Sequence, residues 1–315
     1  MGGFDEAYKS IFITNPAKLS LKNTNFCITQ EGQEITLPLR DILMIVCESN
    51  QVSITASLLS KLADCRIAFF TCDDSHMPNG VFTPYLGHYK ISETLQTQMK
   101  LSKQKKAILW QQIIKQKLYN QSTLAKDFSP QTADKILKLS KNVMLNDSKN
   151  FEAQGAIFYF QVLFGVDFVR KSLDPINSAL NYGYAILRGS MARSLVGSGF
   201  LPALGLFHRN QFNSFNLADD MMEPYRIFVD SLVLLMVQRD SLKDGFQIHH
   251  RQKLAGILGA KILCKDKYYP MYRAITRTVW SLANILKGTE DSLLLPIFQR
   301  ENSNGREIYE SFSDV

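Results

Sequence analysis

The sequence predicts an α+β protein: an N-terminal β-rich domain followed by a larger all-α domain. Two features carry that expectation. Short runs of alternating or wholly apolar residues fill the first 85 or so positions, and near Ser92 the apolar period changes from two to 3.6. The corresponding segments are 1–88, 89–298 and a C-terminal tail, 299–315.

In the first domain, strands are expected at Ser10–Thr14, Leu19–Leu21, Phe26–Thr29, Glu34–Leu37 and Ile42–Cys47, separated by turn-type clusters such as Lys22-Asn23-Thr24-Asn25 and Glu31-Gly32-Gln33. A short helix over Ser53–Asp64 and a buried strand at Ile67–Thr71 follow; Met77-Pro78-Asn79-Gly80 reads as a turn and Val81–Tyr85 as a last strand. Beyond Ser92, Leu95, Met99, Leu109, Ile113 and Leu118 keep to one stripe, with Lys103, Lys105, Lys106, Lys115 and Lys117 around the rest. That pattern predicts an amphipathic helix with a basic outer face. Ser148 is the expected cap of a helix that holds Glu152 and ends near Gly165. Further helices are expected over Ser178–Leu195, stopped by Gly197-Ser198-Gly199, and over about Asn216–Val237. The remainder to about Leu286 also reads as helical, and the chain after Pro296 as a loosely held tail.

An apolar fraction of 45% and a charged fraction of 21% suit a globular chain of 315 residues, long enough for one large or two ordinary domains. No secretory signal is visible at the N-terminus, and the longest apolar run near the middle, Leu232–Val237, is far too short to span a membrane. Five scattered cysteines without CxxC spacing point to a reducing cytoplasm, with neither a disulfide frame nor a structural zinc. The net charge of +7 is concentrated: residues 91–150 hold 11 Lys/Arg against 4 Asp/Glu, and residues 231–315 hold 12 against 9, whereas residues 1–90 and 151–230 are slightly acidic. Clustered positive charge suits a polyanion, although a lysine-rich helix face is equally read as merely solvated. No GxxxxGKS or GxxxxGKT loop is present, so nucleotide hydrolysis is not expected, and Gly197-Ser198-Gly199 lacks the further glycines of a dinucleotide fingerprint or nucleophile elbow. His249-His250 has no carboxylate at ligand spacing and reads as ordinary histidine.

Glu152, His208, Asp220 and Glu223 are the residues richest in chemistry. One imidazole with hard oxygen donors suits Mg²⁺ or Mn²⁺ better than zinc, and Asp220 and Glu223, three apart, share a helix face. Each also has a plainer reading. Glu152 can be a first-turn carboxylate favoured by the helix dipole, His208 a core histidine, and Asp219 and Asp220 caps ahead of Pro224. Their joint content weighs the other way, because several carboxylates buried near one another call for a cation. With a basic chain, the natural object of such a cation is a phosphodiester.

Seven blocks then carry a resemblance: Pro78-Asn-Gly-Val-Phe-Thr-Pro84, Gln104-Lys-Lys-Ala-Ile-Leu-Trp110, Lys117-Leu-Tyr-Asn-Gln121, Glu152-Ala-Gln-Gly-Ala156, Asn181-Tyr-Gly-Tyr184, Gly205-Leu-Phe-His208 and Leu217-Ala-Asp-Asp-Met-Met-Glu223. In order and spacing, over roughly residues 10–290, they resemble the CRISPR-associated spacer-acquisition endonuclease/integrase, the integrase subunit of the adaptation module. The resemblance implies metal binding by Glu152, His208 and Glu223, with Asp220 in support and Mg²⁺ or Mn²⁺ as the ion. It departs from the family at Arg226, followed here by Ile227 where Arg-Pro is common.

The resemblance further implies a homodimer using the N-terminal domain, two dimers bridged by a small ferredoxin-like CRISPR-associated partner into a hetero-hexamer, and a double-stranded DNA substrate, the prespacer and the CRISPR repeat. The implied chemistry is in-line attack of a 3′-hydroxyl on a repeat phosphodiester, with His208 either a ligand or a proton carrier. Lys103, Lys105, Lys106, Lys115, Lys117, Arg193, Arg209 and the Lys261–Arg277 segment are the candidate DNA contacts. Two rivals stand beside this reading: a metal-dependent DNA repair or junction nuclease, and a non-catalytic scaffold for DNA ends.

Overall fold

A computed structural model describes residues 9–82, 84 and 89–299. The chain divides into two compact units, Met1–Ile91 with Val196–Gly199, and Ser92–Leu195 with Phe200–Val315.

The first unit is built from two four-stranded sheets. Strands β1 (Lys9–Ile13), β5 (Ile42–Cys47) and β7 (Ala68–Cys72) run parallel, and β8 (Pro78–Phe82) closes that sheet antiparallel to β7. Strand β5 is buried along its whole length, as its unbroken apolar run Ile-Leu-Met-Ile-Val-Cys requires of a central parallel strand. The second sheet, ordered β4-β3-β2-β6, contains β2 (Ala17–Lys22), β3 (Asn25–Gln30), β4 (Gln33–Pro38) and β6 (Val52–Ile54). Its hairpin turns use left-handed residues, Asn23 and Thr24 in the first, Glu31 and Gly32 in the second, which match the strand twist. Ile13, Leu19, Phe26, Ile45, Leu58 and Phe69 are among the side chains of one buried cluster.

Several local expectations are corrected here. The helix expected from Ser53 does not begin there: Val52–Ile54 is a strand paired in parallel with β2, as β-branched Val52 and Ile54 favour. Helix α1 (Ala56–Asp64) begins after Thr55, whose Oγ1 accepts from Leu58 N. The turn expected at 77–80 lies earlier: the Asp73 carboxylate gathers the amides of Ser75 and Met77, and Pro78 already belongs to β8. Of the strand expected over Val81–Tyr85, Val81 and Phe82 are in β8, while Thr83 and Tyr85 lie outside the described residues.

The second unit is largely helical. Helices α2 (Ile91–Met99) and α3 (Lys103–Ala125) are separate, because Ser102 caps α3 through its Oγ to Lys105 N; Met99 is exposed rather than part of an inner stripe. Helix α3 is no surface helix with a basic back. It has buried residues on most of its faces, with α4 (Pro130–Asn142) and α5 (Phe151–Phe164) against it. Helix α5 is started by Asp147, not Ser148, and ends at Gly165, whose φ of 102° suits glycine. Then come α6 (Pro175–Gly197) and α7 (Asn216–Met222), a 3₁₀ turn at Glu223–Tyr225, and α8 (Arg226–Gln238), so the single helix expected over 216–237 is broken at Pro224.

The stretch to Leu286 is not wholly helical either. Between α9 (Ile248–Gly256) and α10 (Met271–Leu286), β9 (Lys261–Cys264) and β10 (Lys267–Pro270) form a hairpin turning at left-handed Lys265. A further strand, β11 (Pro296–Ile297), pairs with β9, and buried Phe298 donates its amide to Asn120 Oδ1, so the chain just after Pro296 is tied down; residues 300–315 of the expected tail lie outside the described residues. Among the described residues all five cysteines are free, and no helix is long and apolar enough to cross a membrane.

Candidate functional site

The second unit gathers its charged side chains around one turn of α3. Lys117, only 8% exposed, points its ammonium between two carboxylates, 2.6 Å from Glu152 Oε1 and 2.6 Å from Glu223 Oε2. Glu152 is placed by the first turn of α5, where its own amide and that of Phe151 donate to the Asp147 carboxylate at 2.8 and 2.9 Å. Gly155 lets α5 approach α3, for a Cβ there would lie 2.3 Å from Leu118 Cδ2. Glu223 is held by the 3₁₀ turn and takes Arg226 Nε on its other oxygen at 2.9 Å. Burial alone would raise the Glu223 pKa, but the charges of Arg226 and Lys117 outweigh it and hold the carboxyl at about 2. Burial likewise works against the Lys117 charge, yet Glu223 and Glu152 together leave its pKa raised.

His208 is set by a separate device. Fully buried Asp220 accepts from the amides of Leu206 (2.6 Å) and Phe207 (2.9 Å) on Oδ2, and from His208 N (3.2 Å) and Nδ1 (2.6 Å) on Oδ1. The loop can wrap this carboxylate so closely because residue 205 is glycine: a Cβ there would meet His208 O at 2.3 Å and Asp220 Oδ2 at 2.9 Å. With Nδ1 committed to Asp220, the lone pair of a neutral ring lies on Nε2, the arrangement a metal-binding histidine needs. The Asp220 hydrogen bond raises the His208 pKa against the opposing effect of burial, and the charges of Asp220, Glu223 and Glu152 add to it. Asp220→Asn is therefore expected to lower the imidazole's titration midpoint, read by NMR; a midpoint that stays put would show that Asp220 does not control the ring.

Lys117, Glu152, Glu223 and Arg226 line a cavity of about 530 Å³, with Arg170 and Asp230 also on its wall. Asp230 is buried and accepts from Tyr159 OH at 3.0 Å and from Tyr184 OH, while the Arg226 guanidinium stacks on the Tyr184 ring at 4.5 Å. Burial raises the Asp230 pKa to about 6, although both tyrosine hydrogen bonds and the charges of Arg226 and Arg170 pull the other way. An acid that binds its proton more tightly folded than unfolded withdraws stability as pH rises from its unfolded value through its folded one. The loss here is on the order of 3 kcal/mol between pH 4 and 6.5. Asp230→Asn should remove that decline, so the unfolding free energy of the variant should gain on the wild type across this window in denaturant titrations. A constant difference would contradict the assignment.

Of the four residues singled out in the sequence, Glu152 and Glu223 come together on one cation, and His208 and Asp220 are paired. His208 is near enough to both glutamates for their charges to act on it. Among the described residues no group of three His, Cys, Asp or Glu is placed as it stands to hold a metal ion, and the Lys117 ammonium lies between the two glutamates. The donor types still fit Mg²⁺ or Mn²⁺, namely two carboxylates already converging on a cation and an imidazole fixed by a carboxylate.

Lys117 is a correction: expected on an outer face for DNA, it is buried and bound to both glutamates. Its place was legible, since it follows Ile113 and precedes Gln121 by one turn each on the buried side of α3. Tyr184 figured only inside the block Asn181-Tyr-Gly-Tyr184 and Arg226 only as the point of departure from the family, and Asp230 was not singled out; no role at this site was expected of the three.

The family model for the CRISPR associated protein Cas1 matches residues 11–264. The chain belongs to the Cas1 family. It is 38% identical over 291 residues to the CRISPR-associated endonuclease Cas1 of Neisseria meningitidis serogroup C (strain 8013), covering 92% of this chain and 96% of that one. Two solved structures share the fold. A casposase bound to integration product matches with a TM-score of 0.76 and 19% identity, covering 98% of this chain and all of that one. The Cas6-RT-Cas1–Cas2 complex matches at 0.73 and 18% identity, and this chain spans 96% of itself but 37% of that chain.

Within this Cas1-family frame the remaining basic candidates divide by position. Lys103 and Arg209 are exposed, and Lys105, Lys115 and Arg193 are half-buried. Lys106, also half-buried, donates to the Gly205 carbonyl at 3.3 Å, on the loop that carries His208.

Proposed function

We propose that this Cas1-family chain is a metal-dependent DNA endonuclease and integrase that inserts short duplex DNA into a CRISPR array. The observation that supports this most is the convergence of Glu152 and Glu223 on a single cation position in a cavity lined by arginine and lysine, with an imidazole fixed by Asp220 nearby. A bound Mg²⁺ or Mn²⁺, held by Glu152, Glu223 and His208 Nε2, would polarise the scissile phosphate and stabilise its developing charge.

The chain's own groups have distinct tasks in that reaction. A strand's 3′-oxygen forms a bond to the repeat phosphorus as the bond to the departing 3′-oxygen breaks. The attacking hydroxyl gives up a proton and the departing oxygen gains one. Asp220 keeps His208 in the tautomer that presents Nε2. Arg170 and Arg226 supply the positive wall along which a phosphodiester lies, and Glu223 stays ionised through its contacts with Arg226 and Lys117. One phosphodiester replaces another, so no nucleotide needs to be hydrolysed, in keeping with the missing phosphate-binding loop.

The N-terminal unit is proposed to mediate a homodimer, and a small ferredoxin-like partner to join two dimers into a hetero-hexamer. The Cas6-RT-Cas1–Cas2 complex joins a Cas1-containing chain with Cas2 in its own assembly. Lys103 and Arg209 are the exposed side chains best disposed for the DNA backbone.

The test is strand joining of a labelled duplex end to a plasmid carrying a repeat and leader, with the partner and Mg²⁺ or Mn²⁺ present. His208→Ala is expected to lose joining while keeping duplex binding. Joining at the wild-type rate would point to a DNA scaffold, and cleavage without preference for the repeat–leader junction would point to a repair nuclease.

A further inference from the structure

The metal reading leaves Lys117 unexplained, since its ammonium stands where the two candidate ligands converge. Its partners are one oxygen of each, Glu152 Oε1 and Glu223 Oε2. Two carboxylates gathered on one point, Glu223 buried and Glu152 half-buried, repel each other unless a cation lies between them, and the protein supplies one. The ammonium lies 2.6 Å from both of those oxygens, the position a divalent cation bridging them would take. For a metal to bridge the two carboxylates there, Lys117 has to move.

The cavity offers the displaced ammonium somewhere to go. Gln121, one turn further along α3 and on the same side, lines the same cavity, and its Oε1 is buried with no hydrogen-bond partner among the described residues. An orphaned buried acceptor is uncommon and calls for a donor that is present in another state. A four-carbon side chain can swing from the carboxylates to that oxygen without moving the helix, and its charge then stays in the cavity, beside the phosphate the cavity would receive.

We propose that Lys117 is a positioning residue of the metal site, holding Glu152 and Glu223 together in the absence of the metal and being exchanged for it on binding. This rests on the metal reading above. Because metal binding releases the ammonium toward the cavity, a DNA phosphate that attracts it strengthens metal binding, and metal strengthens phosphate binding by the same factor.

The test uses the full chain and Mn²⁺. Lysine acylation by an amine-reactive ester, followed by mass spectrometry, is expected to modify Lys117 at least ten-fold faster at saturating Mn²⁺ than in chelator, with Lys103 unchanged as an internal reference. Calorimetry is expected to show Lys117→Met binding Mn²⁺ at least ten-fold more tightly than the wild type, because no ammonium competes. Unchanged Lys117 labelling while calorimetry shows Mn²⁺ bound, or equal or weaker Mn²⁺ binding by folded Lys117→Met, would overturn the exchange. If Lys117→Met does not fold, wild-type labelling decides alone. No Mn²⁺ binding by either protein would instead overturn the metal reading itself.

Discussion

Glu223→Gln is expected to lower strand joining by about a thousand-fold, close to 4 kcal/mol of lost transition-state stabilisation, on the scale of a removed metal ligand. The substitution keeps the shape of the side chain and deletes its charge. Lys117 retains Glu152 as a partner, but Arg226 loses the charge of the carboxylate 2.9 Å away and keeps its stacking on Tyr184. A half-buried guanidinium that loses its nearest counter-ion is costly, so a fall in thermal stability should accompany the loss of joining. Duplex binding should survive, because the exposed basic residues are untouched. Joining assays and filter binding on the same preparation separate the two effects, and joining within ten-fold of the wild type would remove Glu223 from the chemistry.

Gly205→Ala is expected to damage the same site from a distance through sterics alone. The added Cβ would lie 2.3 Å from the His208 carbonyl oxygen, 2.9 Å from Asp220 Oδ2 and 3.1 Å from Asn216 Cβ, and the first of these is backbone that cannot swing away. Relief requires the loop to open, which breaks the amide contacts of Leu206, Phe207 and His208 to Asp220. A loss of about 3 kcal/mol is expected from such overpacking, or roughly 6–12 °C in Tm for a unit of this size. Gly259→Ala is the control, since a Cβ there meets nothing within 4 Å, and little change is expected. Equal Tm values for the two variants would show that the loop accommodates the methyl group and that Gly205 is not needed for the His208–Asp220 pair.

The sequence was most legible where pattern and structure share a period. Strand β5 declares itself through an unbroken apolar run, and the left-handed turns through Asn23-Thr24 and Glu31-Gly32. Legibility failed where a short segment could serve either period. Ser53 and Ile54 of a strand were absorbed into a neighbouring helix, and the hairpin at Lys261–Pro270 was hidden between two helices because only pairing with β11 completes its sheet. The helix holding Glu152 was visible, but its cap was not. Asp147 reaches the amides of Phe151 and Glu152 across left-handed Asn150, a geometry that no spacing rule anticipates.

The site was legible as a set of residue types and not as a geometry. Glu152, His208 and Glu223 stand out as carboxylates and an imidazole in apolar company, yet their meeting depends on α3, whose Lys117 looked like one more surface lysine. Five lysines at positions 103, 105, 106, 115 and 117 cannot all share one face when successive residues turn by 100°. Lys117 is the one that the helix turns inward, and the charge of its partners keeps it ionised there.

Whether Glu152, Glu223 and His208 serve one divalent ion is tested most directly by an anomalous difference map from crystals of the full chain soaked in Mn²⁺. One strong peak is expected within coordination distance of both carboxylates and of His208 Nε2, with the Lys117 ammonium withdrawn. A map with Mn²⁺ bound elsewhere and Lys117 still bridging the two glutamates would contradict it.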